Sequence, residues 1–139
     1  MSTNAYRQSV ASASLAALTN AIGPNSTITY YSGTPPASCD AALSGNTALT
    51  SGTITSWSAP TYSSGSAAMV STASMSASGY GVIASGVATF ARIATSGGVV
   101  VRQPTIGTSG AEITIGNTTI QTGTTIPISY QITEGCDSV

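Results

Sequence analysis

The chain has no histidine and no lysine, and only seven of its 139 residues are charged: three arginines and four acids. Without histidine there is no ordinary Ser–His or Cys–His nucleophile, and without lysine no alternative amine base. Gly79, Gly81 and Gly86 lack the strand–GxGxxG–helix setting of a phosphate loop, and no Walker lysine accompanies them. Two cysteines without histidine are too few for a zinc site. Arg7, Arg92 and Arg102 are scattered, so no basic stripe exists to release counterions from a nucleic acid backbone. No run of about 18 apolar residues is present to span a bilayer as a helix. Arg7 is followed by a Ser-interrupted stretch rather than a sustained apolar one, which does not suit an export signal. These absences set the expectation of a non-enzyme with no cofactor, no metal, no nucleic acid partner and no membrane partner. Asp40, Glu112, Glu134 and Asp137 leave a carboxylate pair for glycoside hydrolysis as the one catalytic option. Glu112 and Glu134 fall at strand ends, where solvated acids ordinarily sit.

What fills the chain instead is hydroxyl. Serine and threonine supply 45 residues, and no charged residue lies between Asp40 and Arg92. Soluble domains carry about a quarter charged residues. A net charge near zero favours association, and here it is −1. Hydrophobic residues still make up 41%. Disordered chains combine low hydrophobicity with high net charge, and this chain does neither. The composition describes one folded domain, residues 1–139, that is suited to being packed into an assembly.

The periodicity predicts one helix, about residues 4–22, followed by a β-rich body, about residues 26–134. In the helix Val10, Ala11, Leu15, Ala17, Leu18, Ala21 and Ile22 fall within one arc at 100° per residue. Thr3 or Asn4 suits the N-cap, and Gly23-Pro24 stops the helix. Ser26–Ser32 alternates as a strand and is broken by Gly33-Thr34-Pro35-Pro36. From Ala37 to Tyr80 the Ser/Gly/Ala-rich sequence predicts short strands joined by surface loops, with Ser63–Gly81 becoming fixed on docking. Gly86–Ala94 and Val99–Arg102 form a hairpin about Thr95–Gly98, with Arg92 and Arg102 on opposite sides. Ala111–Ile115 is a further strand. In the closing strand Ile126, Ile128, Tyr130 and Ile132 share a face, and Pro127 marks an edge or a bulge. One helix and many short strands predict a mainly β fold, a jelly-roll-like β-sandwich with one N-terminal α-helix.

The uncharged strands carry little of the charge that ordinarily blunts sheet edges. The Pro127-bearing strand and Ser26–Ser32 are therefore the edges expected to add to a partner's sheet. Aromatic residues are the other candidate contacts, either as interface anchors or as a sugar-binding face. Tyr6, Tyr31, Trp57, Tyr62 and Pro127 are the candidate interface positions. Tyr6 lies off the apolar arc of the helix, and Trp57 and Tyr62 flank Pro60 in a loop-like segment. Cys39 and Cys136 are a candidate disulfide, or alternatively two thiols kept reduced in a cytosol. The threonines of Ala111–Thr133 are too unevenly spaced for an ice-ordering surface and suit ordinary exposed strands.

The segments Ile28–Pro36 (ITYYSGTPP), Ala88–Ala94 (ATFARIA) and Gly110–Gly135 resemble a family of small virion proteins of tailed bacteriophages. That family has an N-terminal helix, a first strand ended by a Gly-Thr-x-Pro-type break, a Phe/Arg-bearing strand before a Gly hairpin, and a closing Thr-rich strand. The resemblance implies a head cement or decoration protein that binds the outer capsid surface and ties major capsid subunits together. It implies a jelly-roll-like fold, self-association as a homodimer or homotrimer, and the major capsid protein as partner. The location implied is the virion, with assembly in the bacterial host cytoplasm. A tail or head–tail component, or a carbohydrate-binding adhesive β-domain, is the alternative. No catalytic residue and no capsid-contacting position carries over.

Overall fold

A computed structural model of the chain describes residues 8–63, 68–77 and 79–135. The helix α1 is seen from Gln8 to Ile22. Its buried residues are Ala11, Leu15 and Ile22, with Leu18 packed beside them. Their spacing of four, three and four makes a stripe narrower than the arc expected from the sequence. Val10 is 50% exposed, and Ala17 and Ala21 also face solvent, because α1 lies on the sheet along a single ridge. The expected capping positions Thr3 and Asn4 lie outside the described residues. The helix ends where Gly23 adopts φ +76° and its N–H donates to the Thr19 carbonyl at 2.9 Å, a left-handed cap that glycine reaches without Cβ strain. Asn25, at φ +57°, completes the reversal into the first strand.

The strands follow as β1 (Ser26–Ser32), β2 (Ala48–Trp57), β3 (Thr61–Ser63), β4 (Ala68–Met75), β5 (Tyr80–Gly81) and β6 (Gly86–Ala94). After them come β7 (Val100–Arg102), β8 (Ile106–Gly107), β9 (Ile113–Thr114), β10 (Thr119–Ile120), β11 (Thr125–Ile126) and β12 (Gln131–Gly135). Eight of them form one antiparallel sheet in the order β10-β6-β1-β2-β4-β12, with β7 beside β6 and β3 beside β4. The protein is mainly β, as expected. The strands β11 and β5 form a separate antiparallel ladder, and β8 and β9 a parallel one.

Four sequence expectations need correction. Ser26–Ser32 is not an edge: β1 is paired on both sides, with Ser26 opposite Ile54 and Ile28 opposite Ile93. The Ser/Ala-rich middle holds long strands, since β2 and β4 run ten and eight residues. Much of the segment expected to await docking is β4, which pairs with β2, β3 and β12. Serine, alanine and glycine have little intrinsic strand preference, and neighbouring strands impose it here. Finally, the closing strand is interrupted. Residues 127–130 make no ladder between β11 and β12, and Pro127, which has no N–H, begins the gap. The alternation survives, with Ile128, Tyr130 and Ile132 all buried.

Alternation divides the central strands between two faces. Ile28, Tyr30, Ile54, Ala91 and Ile93 point to the main core, closed by α1 over β4 and β12 and by apolar residues of the 104–132 region such as Ile106, Ile113 and Ile120. Tyr31 and Phe90, opposite each other in the ladder, point the other way and stack with centroids 5.3 Å apart. Phe90 is nonetheless fully buried, so β6 is covered on both faces. Each fully buried Ile, Leu or Phe contributes about 1.5–3 kcal/mol relative to exposure.

Gly52 is opposite Ile28, and a Cβ there would stand 2.9 Å from the Tyr80 ring and 3.0 Å from the Met75 methyl. The Tyr80 hydroxyl is held by Ser76 Oγ at 3.1 Å and by the Ala77 N–H at 3.0 Å, so the ring is tethered at its far end. Gly52→Val should therefore cost about 1–3 kcal/mol in chemical denaturation, and an unchanged midpoint would mean that the ring moves aside freely. Burial pushes the Tyr30 pKa up to about 12. An unfolded tyrosine ionises near pH 10 while Tyr30 stays neutral, so its contribution is complete below pH 10 and is lost as pH rises toward 12. Stability should fall by roughly 2–3 kcal/mol across that window. In Tyr30→Phe this part of the alkaline slope should disappear, which urea titrations between pH 9 and 12 would measure.

Candidate interaction surfaces

The residues singled out from the sequence do not converge on one patch. Tyr31 is half-buried and stacked on Phe90. Trp57 ends β2 on the core side, its ring edge-on to Tyr130 at 6.1 Å and 78°. Tyr62, on β3, is half-buried against the same core. Pro127 is exposed and lines an apolar recess with Tyr30, Ile113, Ile115 and Ile126. Tyr6 and Cys136 lie outside the described residues. Cys39 is half-buried in the loop after β1 and forms no disulfide among the described residues.

Trp57 and Pro60 share a groove of about 440 Å³ with Pro24, Asn20 and Thr19 at the end of α1. The groove exists because Ser58–Pro60 interrupts the strand that β2 and β3 together would make. Ser58 bridges the break: its N–H donates to the Thr72 carbonyl at 2.9 Å, and its hydroxyl accepts from the Thr72 N–H at 2.9 Å. Ser71 Oγ donates to the Ser58 carbonyl at 2.7 Å. The Trp57 Nε1 atom is buried without a hydrogen-bond partner among the described residues, and the ring packs edge-on against Tyr130. Tyr62 does not line this groove, so Trp57 and Tyr62, which flank Pro60 in the chain, do not come together there.

A second surface is the loop of residues 33–47, which lies over the Tyr31–Phe90 face. Four side chains hold it. Thr89 Oγ1 donates to the Gly33 carbonyl at 2.5 Å, and Asn46 Nδ2 donates to the carbonyls of Ser32 and Thr34 at 2.9 Å each. Gln103 Nε2 donates to the Pro36 carbonyl at 2.8 Å. Arg92 is 8% exposed; its Nη2 donates to the carbonyls of Ala41 at 2.6 Å and Ser38 at 3.3 Å, and its Nε donates to Gln103 Oε1 at 2.9 Å. Charge-assisted bonds to carbonyl dipoles thus solvate a guanidinium that has no carboxylate partner among the described residues. The sequence marks Arg92 only as one side of a hairpin. Its polar neighbours come from residues 38, 41 and 103, so local spacing carries no sign of the role.

Arg102 lies opposite Ile93, hence on the other face from Arg92, and pairs with Glu112 at 2.9 Å. Both partners are partly exposed, which limits this ion pair to about 1 kcal/mol or less. Burial pushes the Tyr130 hydroxyl upward in pKa, with Arg102 lowering it and Glu112 raising it. Glu112 and Tyr130 line a recess of mixed polarity with Thr72, Ile113, Thr114, Ser129 and Gln131. No group of three metal-binding side chains occurs among the described residues.

The third surface is the sheet margin. β12 pairs with β4 on one side and has no strand on the other among the described residues. Comparison with protein-family models, curated proteins and solved structures finds no match.

Replacing Arg92 by Met keeps much of the volume and removes all three of its hydrogen bonds. We expect Arg92→Met to cost about 2–3 kcal/mol and to raise deuterium uptake across residues 34–45 while the β1–β2 ladder stays protected. Uptake equal to that of the parent protein would show that other contacts hold the loop.

Proposed function

We propose that the protein is a structural virion component, a cement or decoration protein that lies on the outer capsid surface of a tailed phage and strengthens contacts between major capsid subunits. The observation that supports this most is how little free charge the described surface retains, with Asp40 its one exposed charge outside an ion pair. Arg92 is drawn inside and Arg102 is matched by Glu112, so both described arginines are neutralised or buried. Apolar side chains stand in the open instead: Ile83 and Val99 are 65% exposed, and Val87 50%. A surface of hydroxyls and scattered aliphatics loses little desolvation energy when covered, because few charges must shed water. Such a subunit gains from dense, repetitive association and needs no chemistry. The likeness to phage virion proteins supports the same reading, and a jelly-roll-like sandwich, with α1 and the short ladders as the layer facing the main sheet, goes with it.

Particles of the phage that encodes this chain provide the test. Quantitative mass spectrometry of separated heads and tails should find the protein with the heads, in fixed ratio to the major capsid protein. Heads lacking it should release DNA at lower temperature or lower osmotic stress. Recovery with tails would transfer the proposal to a tail role. Absence from both, with retention on a glycan array, would replace it by the carbohydrate-binding reading.

A further inference from the structure

The open margin of the sheet has a directionality set by the ladder. The Ala73 N–H donates to the Tyr130 carbonyl at 2.9 Å. In the register of β12 on β4, Ile132 is opposite Ser71 and Glu134 opposite Met69. In an antiparallel pair, residues that bond to the neighbour alternate with residues that bond away from it. Tyr130, Ile132 and Glu134 therefore address β4, and the N–H and C=O groups of Gln131, Thr133 and Gly135 point outward.

From this geometry we infer that β12 pairs with β12 of a second copy, antiparallel across a two-fold axis at Thr133, joining two eight-stranded sheets into one. The inference rests on the assembly reading above and names one surface for it. The register follows from three constraints. Outward-bonding residues must meet outward-bonding residues, a condition that any pairing centred on a residue of the strand fulfils, but centring on 131 or 135 sets Thr133 against residue 129 or 137, outside the strand. Centring on 134 sets Glu134 opposite itself, a like-charge pair that sheets disfavour. Centring on 132 sets Gly135 against residue 129, which is outside the strand. Centring on Thr133 matches Gln131 with Gly135 of the partner copy, and Thr133 with itself. It engages all three outward residues of each strand and sets Glu134 opposite Ile132 of the partner copy. A two-fold pairing of this kind closes after two subunits and does not propagate.

The edge also lacks the usual obstacles. Between Gln131 and Gly135 there is no proline, no bulge and no charge other than Glu134, and the ladder with β4 runs without a register shift. A second copy is favoured over an unrelated strand because this one stretch satisfies every register constraint against itself.

The test uses the full chain with Cys39→Ser and Cys136→Ser, so that introduced thiols are unambiguous. Thr133→Cys should form an intermolecular disulfide under mild oxidation, since opposed residues in a bonded pair lie about 5.5 Å apart at Cα, within disulfide reach. Gln131→Cys alone should not cross-link, whereas Gln131→Cys combined with Gly135→Cys should. Thr133→Pro removes an N–H that β4 does not use, so the monomer should keep its circular dichroism spectrum and thermal midpoint. Its dimer, followed by analytical ultracentrifugation, should weaken at least about tenfold. A parent protein that stays monomeric at sub-millimolar concentration would overturn the inference. So would a Thr133→Pro protein that dimerises like its parent, or cross-linking that favours Gln131→Cys alone. Head binding by a strictly monomeric protein would sink this inference and leave the virion reading standing. Dimerisation through Thr133 without any association with heads would do the reverse.

Discussion

Main-chain pairing along β1 is the constraint on which the rest of this structure depends. The strand bonds β2 on one side and β6 on the other over nearly its whole length. It carries Ile28 and Tyr30 to one face and Tyr31 to the other. Around Tyr31 and Phe90 both faces of this trio are covered, by the main core on one side and the Arg92-held loop on the other. Buried backbone groups must find partners, and the ladder supplies them for a stretch whose side chains are mostly small. The energetic weight falls on a few large residues set into that ladder, above all Tyr30 and Phe90.

Hydroxyls take over work that charges do elsewhere. Thr89 ties the loop to β6, Thr29 and Ser51 meet across the β1–β2 ladder at 3.1 Å, and Thr50 Oγ1 reaches the Gly81 carbonyl at 3.1 Å. Each such bond contributes about 0.5–1.5 kcal/mol net, and none carries a charge to be screened or repelled. The consequence for function is a surface that resists close approach only weakly. Arg92 reinforces it, because one of the two described arginines serves as a bracket for the loop instead of a solubilising group. Where the sheet stops, at β12, the same economy leaves a row of main-chain groups with little side-chain protection.

Part of this architecture is legible in the chain's local patterns. Ser26–Ser32 and Gly86–Ala94 are readable to the residue, the first because Ile28 and Tyr30 alternate with threonines before Gly33, the second because a run with Val87, Phe90 and Ile93 ends at the Thr95–Gly98 turn. The hairpin turn at Thr95–Gly98 follows from glycine's access to positive φ, but Ala94 pairs with Val100, not Val99, and the register shift between Ile93 and Ala94 is what leaves Arg92 and Arg102 on opposite faces. β4 is not legible, since AMVSTASM has no alternation strong enough to outweigh its serines and alanines. The helix face is drawn too wide by periodicity because alanine is compatible with core and solvent alike, so Ala17 and Ala21 give no discrimination. Of the candidate interface residues, Trp57 and Tyr62 are neighbours in the chain, yet the break at Ser58–Pro60 sends only Trp57 to the groove.

By itself the sequence determined the chemistry that is available: a mainly β chain, hydroxyl-rich and almost free of charge, with no histidine and no lysine. Composition and local alternation suffice for that, because they depend on residue type and on neighbours one or two positions away. The tertiary structure alone decided that β1 is central and β12 marginal, that Arg92 is buried, and that Trp57 packs on Tyr130. Those outcomes turn on which strands pair across tens of residues, a competition among many long-range ladders whose local sequences are nearly equivalent.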